Sequence, residues 1–188
     1  AAESKADIFK TQIFDIENFI SSTCPDWQER LKDRNLTLDQ VFELKERCSE
    51  RGIIFMATAH DSSRIPWLKE LNVGAVKVGS GEKNNLEFIG ELIKVNVPMI
   101  ISTGMYNQRD VNELLDFCYK SGCRNLALLH CVTSYPAPIE QINLHAMDIL
   151  AEHFSGPIGY SDHTESGLAV LAAVARGAKI VERHITIL

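Results

Sequence analysis

The chain has 188 residues, of which 45% are hydrophobic, and these values are ordinary for a globular domain with one core. Its 19 basic and 25 acidic residues give a net charge of −6 without a basic tract, which argues against nucleic acid or an anionic membrane as a partner. No apolar run reaches the roughly 20 residues of a membrane-spanning helix, and the five cysteines lack C-x-x-C spacing. We therefore expect a cytoplasmic protein with reduced thiols.

Seven apolar, β-branched runs alternate with segments of helical periodicity along the chain. We predict strands at Ile8–Gln12, Ile53–Thr58, Val73–Glu82, Pro98–Met105, Leu126–Tyr135, Pro157–His163 and Lys179–Thr186. We predict helices at Leu38–Arg51, Arg64–Leu71, Leu86–Val95, Gln108–Ser121, Ile139–Phe154 and Ser166–Arg176. Strand–helix alternation is typical of a parallel sheet covered by helices. Because the runs end in polar residues, and reactive groups cluster where barrel strands end, the pattern favours an enzyme.

The two ends of the chain suggest an incomplete barrel. Residues 1–6 resemble the end of a helix, and the chain closes at Ile185–Leu188, beside the last predicted strand. We therefore predict that residues 1–188 form an incomplete (β/α)8 TIM-barrel catalytic domain of the α/β class, with strands two to eight present. The first strand and the C-terminal elements would be missing. The charged excursion Ile13–Leu36 is either an active-site lid or wall, or a solvated surface insertion.

Two histidines lie near the ends of the last two predicted strands. His163 follows Ser161 and His184 follows Glu182, each two residues later, and residues two apart on a strand face the same side. Neighbouring strands could therefore bring both imidazoles to one divalent ion, with positions left open for a substrate. The structural alternative is two core histidines held by hydrogen bonds.

Two lysines lie within apolar runs where a strand would normally exclude charge. A buried ammonium is costly unless it is paired, so Lys10 and Lys77 call for an explanation. Either would serve as a clamp for a phosphate or carboxylate, or as a Schiff-base nucleophile. A salt bridge to Glu82 or Glu182 is the structural alternative.

Two glycine-containing segments at strand ends carry hydroxyl groups. Lys77–Asn85 contains Ser80 between two glycines and leads into a helix, and Ser102-Thr103-Gly104 ends another predicted strand. Glycines allow close approach of the backbone, and helix N-termini favour anions. Each segment alone is a weak signal, but together they favour an anionic substrate.

These segments together resemble the sialic acid synthase family, which comprises the phosphoenolpyruvate-dependent synthases of N-acetylneuraminate and related nonulosonates. The matching motifs are Lys77–Asn85, Ser102–Met105, His130-Cys131 with Tyr135-Pro136, Gly159–Thr164 and Glu182–His184. They occur in the family's order and with compatible spacing, and the resemblance is weak only over Ile13–Leu36. It implies a barrel that condenses phosphoenolpyruvate with an N-acylated hexosamine, such as N-acetylmannosamine, to give a nonulosonate and phosphate.

The resemblance also implies roles for single residues. His163 and His184 would hold a divalent metal, which is Mn, Mg or Co in this family, and would be catalytic together with Lys77 and Glu82. Phosphoenolpyruvate would be held by Lys10, Thr58, Lys77, Ser80, Ser102 and Ser161. The sugar would face Gln12, Glu82 and Tyr135, and the hydroxyl of Thr133 could reach a phosphate or carboxylate.

Some positions depart from the family pattern. Thr11 stands where an aromatic residue is usual, and Thr58-Ala59-His60 replaces a Thr-Pro-Phe-like sequence, which bears on sugar specificity. The resemblance implies a C-terminal antifreeze-like domain and a homodimer in the full-length protein. We expect the isolated 188 residues to have no synthase activity.

Two other interpretations stay open at this point. One is a Schiff-base aldolase that uses Lys10 or Lys77, and the other is a non-catalytic barrel paralogue. Within the family, two questions also stay open: which nonulosonate is made (neuraminic, legionaminic or pseudaminic acid), and whether the acceptor sugar carries a 6-phosphate.

Overall fold

A computed structural model describes residues 1–186. The chain forms two compact units, the first of Ala1–Lys77 and Glu87–Val97, and the second of Val78–Leu86 and the chain from Pro98 onward. Within residues 1–186, no helix is long and apolar enough to cross a bilayer.

The described residues contain seven strands. They are β1 (Ile8–Ile13), β2 (Ile54–Ala59), β3 (Val76–Val78), β4 (Met99–Ser102), β5 (Leu126–Cys131), β6 (Ile158–Asp162) and β7 (Val181–Arg183). In the first unit β1, β2 and β3 pair in chain order, and all these pairings are parallel. In the second unit β4, β5, β6 and β7 do the same. The predicted α/β class with parallel strands is confirmed, whereas their numbering as strands two to eight of a barrel stays a prediction.

The helices separate the strands as the periodicity indicates. They are α1 (Ile16–Phe19), α2 (Pro25–Leu31), α3 (Leu38–Glu50), α4 (Ile65–Glu70), α5 (Leu86–Ile93), α6 (Gln108–Lys120), α7 (Ala146–His153) and α8 (Leu168–Ala175). Helix α3 begins at a capping box, in which Thr37 accepts from the Gln40 backbone and Gln40 accepts from the Thr37 backbone. It ends before Gly52, whose φ of +68° is the left-handed conformation that favours glycine.

Two boundary predictions are wrong for identifiable local reasons. The run Val73–Glu82 contains only the three-residue β3, because a 3-10 turn over Ser80–Glu82 closes with a hydrogen bond from the Glu82 N–H to the Gly79 carbonyl at 3.2 Å. The predicted helix from Ile139 is interrupted, because Asn143 has a φ of +41° and α7 starts only at Ala146.

The prediction that residues 1–6 resemble the end of a helix is confirmed. The Ala6 N–H donates to the Ala1 carbonyl at 3.1 Å and the Lys5 N–H to the Ala2 carbonyl at 2.9 Å, and Lys5 has a φ of +57°, which is the pattern of a helix C-terminus.

Candidate active site

Four polar side chains lie on one face of the strands in the first unit. Lys10 and Gln12 are two residues apart on β1, and Gln12 is opposite Thr58 on β2. Ala57 of β2 pairs with Val76 of β3, so Thr58 and Lys77, which follow them, also lie beside each other. Residues in register, and residues two apart, face the same side of a sheet. The face therefore combines two ammonium groups with an amide and a hydroxyl.

Part of this face is deeply buried. Thr58 and Lys77 are each only 3% exposed. The Oγ1 atom of Thr58 is buried and has no hydrogen-bond partner within the described part of the chain. An unsatisfied buried hydroxyl costs about 1–3 kcal/mol, so a ligand that accepts a hydrogen bond from it would be stabilised there. Two cations beside this donor suit a phosphate or a carboxylate.

His60 is a polar residue of this unit that no sequence motif marks. Its ring packs against Phe19 of α1 with centroids 4.7 Å apart, and its Nε2 is buried without a hydrogen-bond partner among residues 1–186. Burial, followed by the positive charges of Lys10 and Lys77, lowers the pKa of His60 to about 4. A neutral imidazole therefore lies near two cations at neutral pH. The only sequence signal is that His60 replaces a usual aromatic residue.

The excursion Ile13–Leu36 contains α1 and α2 and is fixed to the first unit by polar contacts. The backbone N–H of Asp15, the N-cap of α1, donates to Asp61 Oδ2 at 2.7 Å. The Asp15 carboxylate accepts a hydrogen bond from Arg64 at 3.0 Å. These contacts hold Phe19 over His60, whereas neither α1 nor α2 has a buried residue, so a wall and a solvated insertion both stay predictions.

In the second unit, the two glycine-containing segments meet at a hydrogen bond. The backbone N–H of Gly104 donates to Ser80 Oγ at 3.0 Å, and the same hydroxyl lies 3.2 Å from Cys131 Sγ. Ser80 and Ser102 are both buried. Ser80 is thus held against the ends of both β4 and β5, where its hydroxyl still has capacity for a ligand.

We expect Gly104→Ala to destabilise the protein by about 1–3 kcal/mol, the usual cost of overpacking. A Cβ at residue 104 would lie 2.6 Å from Cys131 Sγ, 2.8 Å from the Cys131 carbonyl and 2.8 Å from Thr133 Oγ1. Urea unfolding would measure the change. The matched control is Gly81→Ala, since a Cβ there meets nothing within 4 Å. Equal stabilities of the two variants would contradict this packing.

Glu82 and Tyr106 lie near each other in the second unit. Glu82 is half-buried and accepts a hydrogen bond from Asn85 at 2.8 Å. Burial, and then the Glu82 carboxylate, raise the pKa of Tyr106 to about 12. The phenol therefore stays protonated at neutral pH. Its hydroxyl is buried without a hydrogen-bond partner among the residues described, so it is available as a donor.

His163 and His184 lie close together, with ring centroids 5.4 Å apart. The Tyr135 ring packs against both, at 4.2 Å from His163 and 5.8 Å from His184. His163 Nδ1 lies 2.7 Å from the Val132 carbonyl oxygen. A carbonyl only accepts, so Nδ1 carries the proton and Nε2 of the neutral ring is left for a ligand. The predicted proximity of the two imidazoles is confirmed by these distances.

The end of β6 is organised by Asp162, which is completely buried. Its Oδ1 accepts from the Tyr160 hydroxyl at 3.2 Å and from the Thr164 backbone at 3.1 Å, and its Oδ2 makes an ion pair with Arg183 at 3.4 Å. Burial and the Asp162 carboxylate raise the pKa of Tyr160, which keeps its phenol a donor. Asp162 thereby fixes the turn that carries His163.

Ser161 and Glu182 are cross-strand neighbours on β6 and β7. The Ser161 hydroxyl donates to Glu182 Oε2 at 2.6 Å. A ligand that accepts from Ser161 therefore has to compete with this carboxylate, which is a contact that the sequence did not predict.

A comparison with known families identifies the chain. The model of the NeuB family matches residues 1–188. The chain belongs to the NeuB family. The resemblance drawn from the motifs is thereby confirmed at the level of the family.

NeuB relatives of known name include several synthases. The chain is 37% identical over 202 residues to the N,N'-diacetyllegionaminic acid synthase of Campylobacter jejuni, covering 100% of this chain and 60% of that protein. It is 40% identical over 151 residues to the human N-acetylneuraminate-9-phosphate synthase, covering 79% of this chain and 42% of that protein. A solved N-acetylneuraminic acid synthetase from Leptospira borgpetersenii has a TM-score of 0.95 at 30% identity, covering 100% of this chain and 65% of that chain.

The chain spans little more than half the length of the NeuB relatives that it matches, between 55% and 60% of the first three. The activity, substrates and partners of the whole protein are therefore matters of proposal. The roles carried over to single residues likewise stay predictions. Two residues outside the NeuB motifs, His60 and Tyr106, lie near residues to which the motifs give a role. Asp162 lies within the motif Gly159–Thr164 but had no role predicted, and it hydrogen-bonds to the Thr164 backbone.

Proposed function

We propose that the protein is a NeuB-family synthase that condenses phosphoenolpyruvate with an N-acylated hexosamine to give a nonulosonate and phosphate. The observation that carries this proposal is the pair His163 and His184, whose ring centroids are 5.4 Å apart in a chain of this family. The names of the synthases from C. jejuni and human support the class of product.

The first unit is proposed to hold the anionic groups of phosphoenolpyruvate. Lys10 and Lys77 would supply positive charge, and the Thr58 hydroxyl, which has no hydrogen-bond partner among residues 1–186, would supply a hydrogen bond. From the second unit we assign Ser80, Ser102, Ser161 and Thr133 to the same substrate. Gln12, Glu82 and Tyr135 are assigned to the sugar.

The histidine pair fits a divalent cation such as Mn, Mg or Co. With metal–nitrogen bonds of about 2.1 Å, two rings on one ion have centroids within about 6.5 Å, which the observed pair satisfies. The Nδ1–H group of His163 also donates a hydrogen bond to the Val132 carbonyl, as the second ring nitrogen of a metal-binding histidine commonly does. The described residues include no cluster of three or more His, Cys, Asp or Glu side chains placed for a metal. Water, substrate or other parts of the protein would therefore complete the coordination.

The proposed reaction consumes the two substrates and one water molecule and needs no other reagent. C3 of phosphoenolpyruvate attacks the aldehyde carbon C1 of the open-chain sugar, and positive charge develops at C2. Water adds at C2, and phosphate leaves with cleavage of the C–O bond. When bound, the cation would polarise the aldehyde. Glu82 would stabilise the positive charge or accept a proton, and the Tyr106 phenol, protonated at neutral pH, lies near it.

The test is an assay of the full-length protein with phosphoenolpyruvate and N-acetylmannosamine, its 6-phosphate, or the precursors of legionaminic and pseudaminic acid. We expect phosphate release that requires one of these acceptors and stops on chelation of the metal. Buried Lys77 is the observation that favours a Schiff-base aldolase instead. Trapping of pyruvate on the protein by borohydride, together with activity that survives chelation, would replace the synthase with that aldolase.

A further inference from the structure

His60 is a half-buried residue of the first unit to which the proposed function gives no role. Its backbone N–H donates to the Ile13 carbonyl at 3.0 Å, so strand pairing continues through this residue. His60 therefore faces the same side as Thr58, two residues earlier. His60 Nε2 and Thr58 Oγ1 are both buried, and neither has a hydrogen-bond partner within residues 1–186.

Two such atoms on one face indicate a ligand. Each unsatisfied buried group costs about 1–3 kcal/mol, and buried polar atoms are nearly always hydrogen-bonded in native proteins. One anion that accepts hydrogen bonds from Thr58 and His60 would remove both costs at once.

The charges around His60 favour an anion in the same place. The charged groups that act on the ring are Lys10 on β1, Lys77 on β3 and the adjacent residue Asp61, of which the two lysines have the larger effects. The Asp61 carboxylate is already engaged, because its Oδ2 accepts from the Asp15 backbone at 2.7 Å and its Oδ1 from the Ser63 backbone at 2.9 Å. The field at the imidazole is therefore positive.

We propose that His60 is a further anion-binding residue, which donates a hydrogen bond from Nε2 to the phosphate or carboxylate held by Lys10, Lys77 and Thr58 and takes up a proton as that anion binds. The anion offsets the two positive charges that keep the ring neutral, and an imidazolium donates from both nitrogens. The inference rests on the proposed function only for the identity of the anion as phosphoenolpyruvate.

The direction of the pH dependence follows from the state of the ring. Its pKa is about 4 in the free protein, so the ring is neutral at pH 6–7. In the complex the neighbouring anion raises the pKa, so binding is accompanied by proton uptake. Affinity therefore rises as the pH falls, until the free ring also becomes protonated near its own pKa.

Sulfate is the probe, because it mimics phosphate and stays fully ionised between pH 5.5 and 7.5. Calorimetric titration of the full-length protein, in buffers of different ionisation enthalpy, gives both the affinity and the number of protons taken up. We expect sulfate to bind at least about tenfold more tightly at pH 5.5 than at pH 7.5, which requires the bound anion to raise the pKa of the ring from about 4 to at least about its ordinary value of 6.5.

Two variants assign the linkage to His60. His60→Phe keeps an aromatic ring against Phe19, and His60→Gln keeps a donor that does not titrate. Both should lose the pH dependence that His60 contributes, and His60→Gln should bind sulfate more tightly than His60→Phe. If His60→Phe does not fold, the pH dependence of His60→Gln decides.

Two results would overturn the inference: wild-type protein that binds sulfate without proton uptake, or variants that keep the full wild-type uptake. The assay also separates this inference from the proposed function. If proton uptake is assigned to His60 but the protein has no synthase activity, the anion-binding role of His60 is supported and the proposed function is refuted. If the protein has synthase activity but sulfate binding involves no proton uptake by His60, the proposed function is supported and the role of His60 is refuted.

Discussion

Replacing His163 with alanine in the full-length protein is expected to lower synthase activity by about a thousandfold or more. The ring is fixed by its hydrogen bond to the Val132 carbonyl and by contact with Tyr135, so its Nε2 is already oriented for a ligand. Loss of a Lewis-acid contribution of several kcal/mol, at 1.4 kcal/mol per factor of ten, gives a change of this size. Initial rates of acceptor-dependent phosphate release would measure it.

The control for this prediction is His153→Ala. His153 is an exposed histidine in the last turn of α7 in the same unit, so its removal tests for a general effect of losing an imidazole. We expect wild-type activity from it. Activity of His163→Ala within tenfold of wild type would contradict the catalytic role of the pair.

Lys77→Met is expected to lower kcat/KM for phosphoenolpyruvate by a factor of about a hundred to a thousand, as charge-assisted contacts to a phosphate or carboxylate are lost. Lys77 is 3% exposed on the face that also carries Lys10 and Thr58. Methionine keeps the apolar stem of the side chain and removes its charge, and urea unfolding of the variant would show separately whether the loss of this charge changes its stability. Steady-state kinetics with phosphoenolpyruvate as the varied substrate would give the ratio.

Lys69→Met supplies the matched control, because Lys69 is exposed in the last turn of α4 in the same unit. It should leave the kinetics unchanged. If Lys77→Met retains the wild-type KM and kcat for phosphoenolpyruvate, Lys77 does not bind this substrate. A purely structural role for the buried lysine, such as a salt bridge, would then be preferred.

Features that repeat along the chain were predictable from the sequence. The apolar runs and periodic segments correspond to parallel strands and helices, and the polar residues at their ends include Thr58, Ser102 and Ser161, which are buried as expected for inward positions. The spacing of Ser161 with His163 and of Glu182 with His184 placed both imidazoles on neighbouring strands, and their rings are indeed near each other. These predictions depend on local periodicity and on the sheet register alone.

Features that depend on backbone conformation or on distant contacts were not predictable. The left-handed Asn143 delays α7, although the residues before it have helical spacing. Asp162 acquires its role from Arg183, which is 21 positions later and meets it only through strand pairing. His60 becomes significant because α1 covers it and two lysines from other strands act on it, and no local pattern encodes such an environment.

The most direct test of the central proposal is a titration of the full-length protein with Mn²⁺, followed by electron paramagnetic resonance of the free ion. The proposal predicts one bound Mn²⁺ per chain in the wild type and in His153→Ala, and at least tenfold weaker binding in His163→Ala and in His184→Ala. Equal Mn²⁺ affinity in the wild type and in the variant that lacks both His163 and His184 would contradict it.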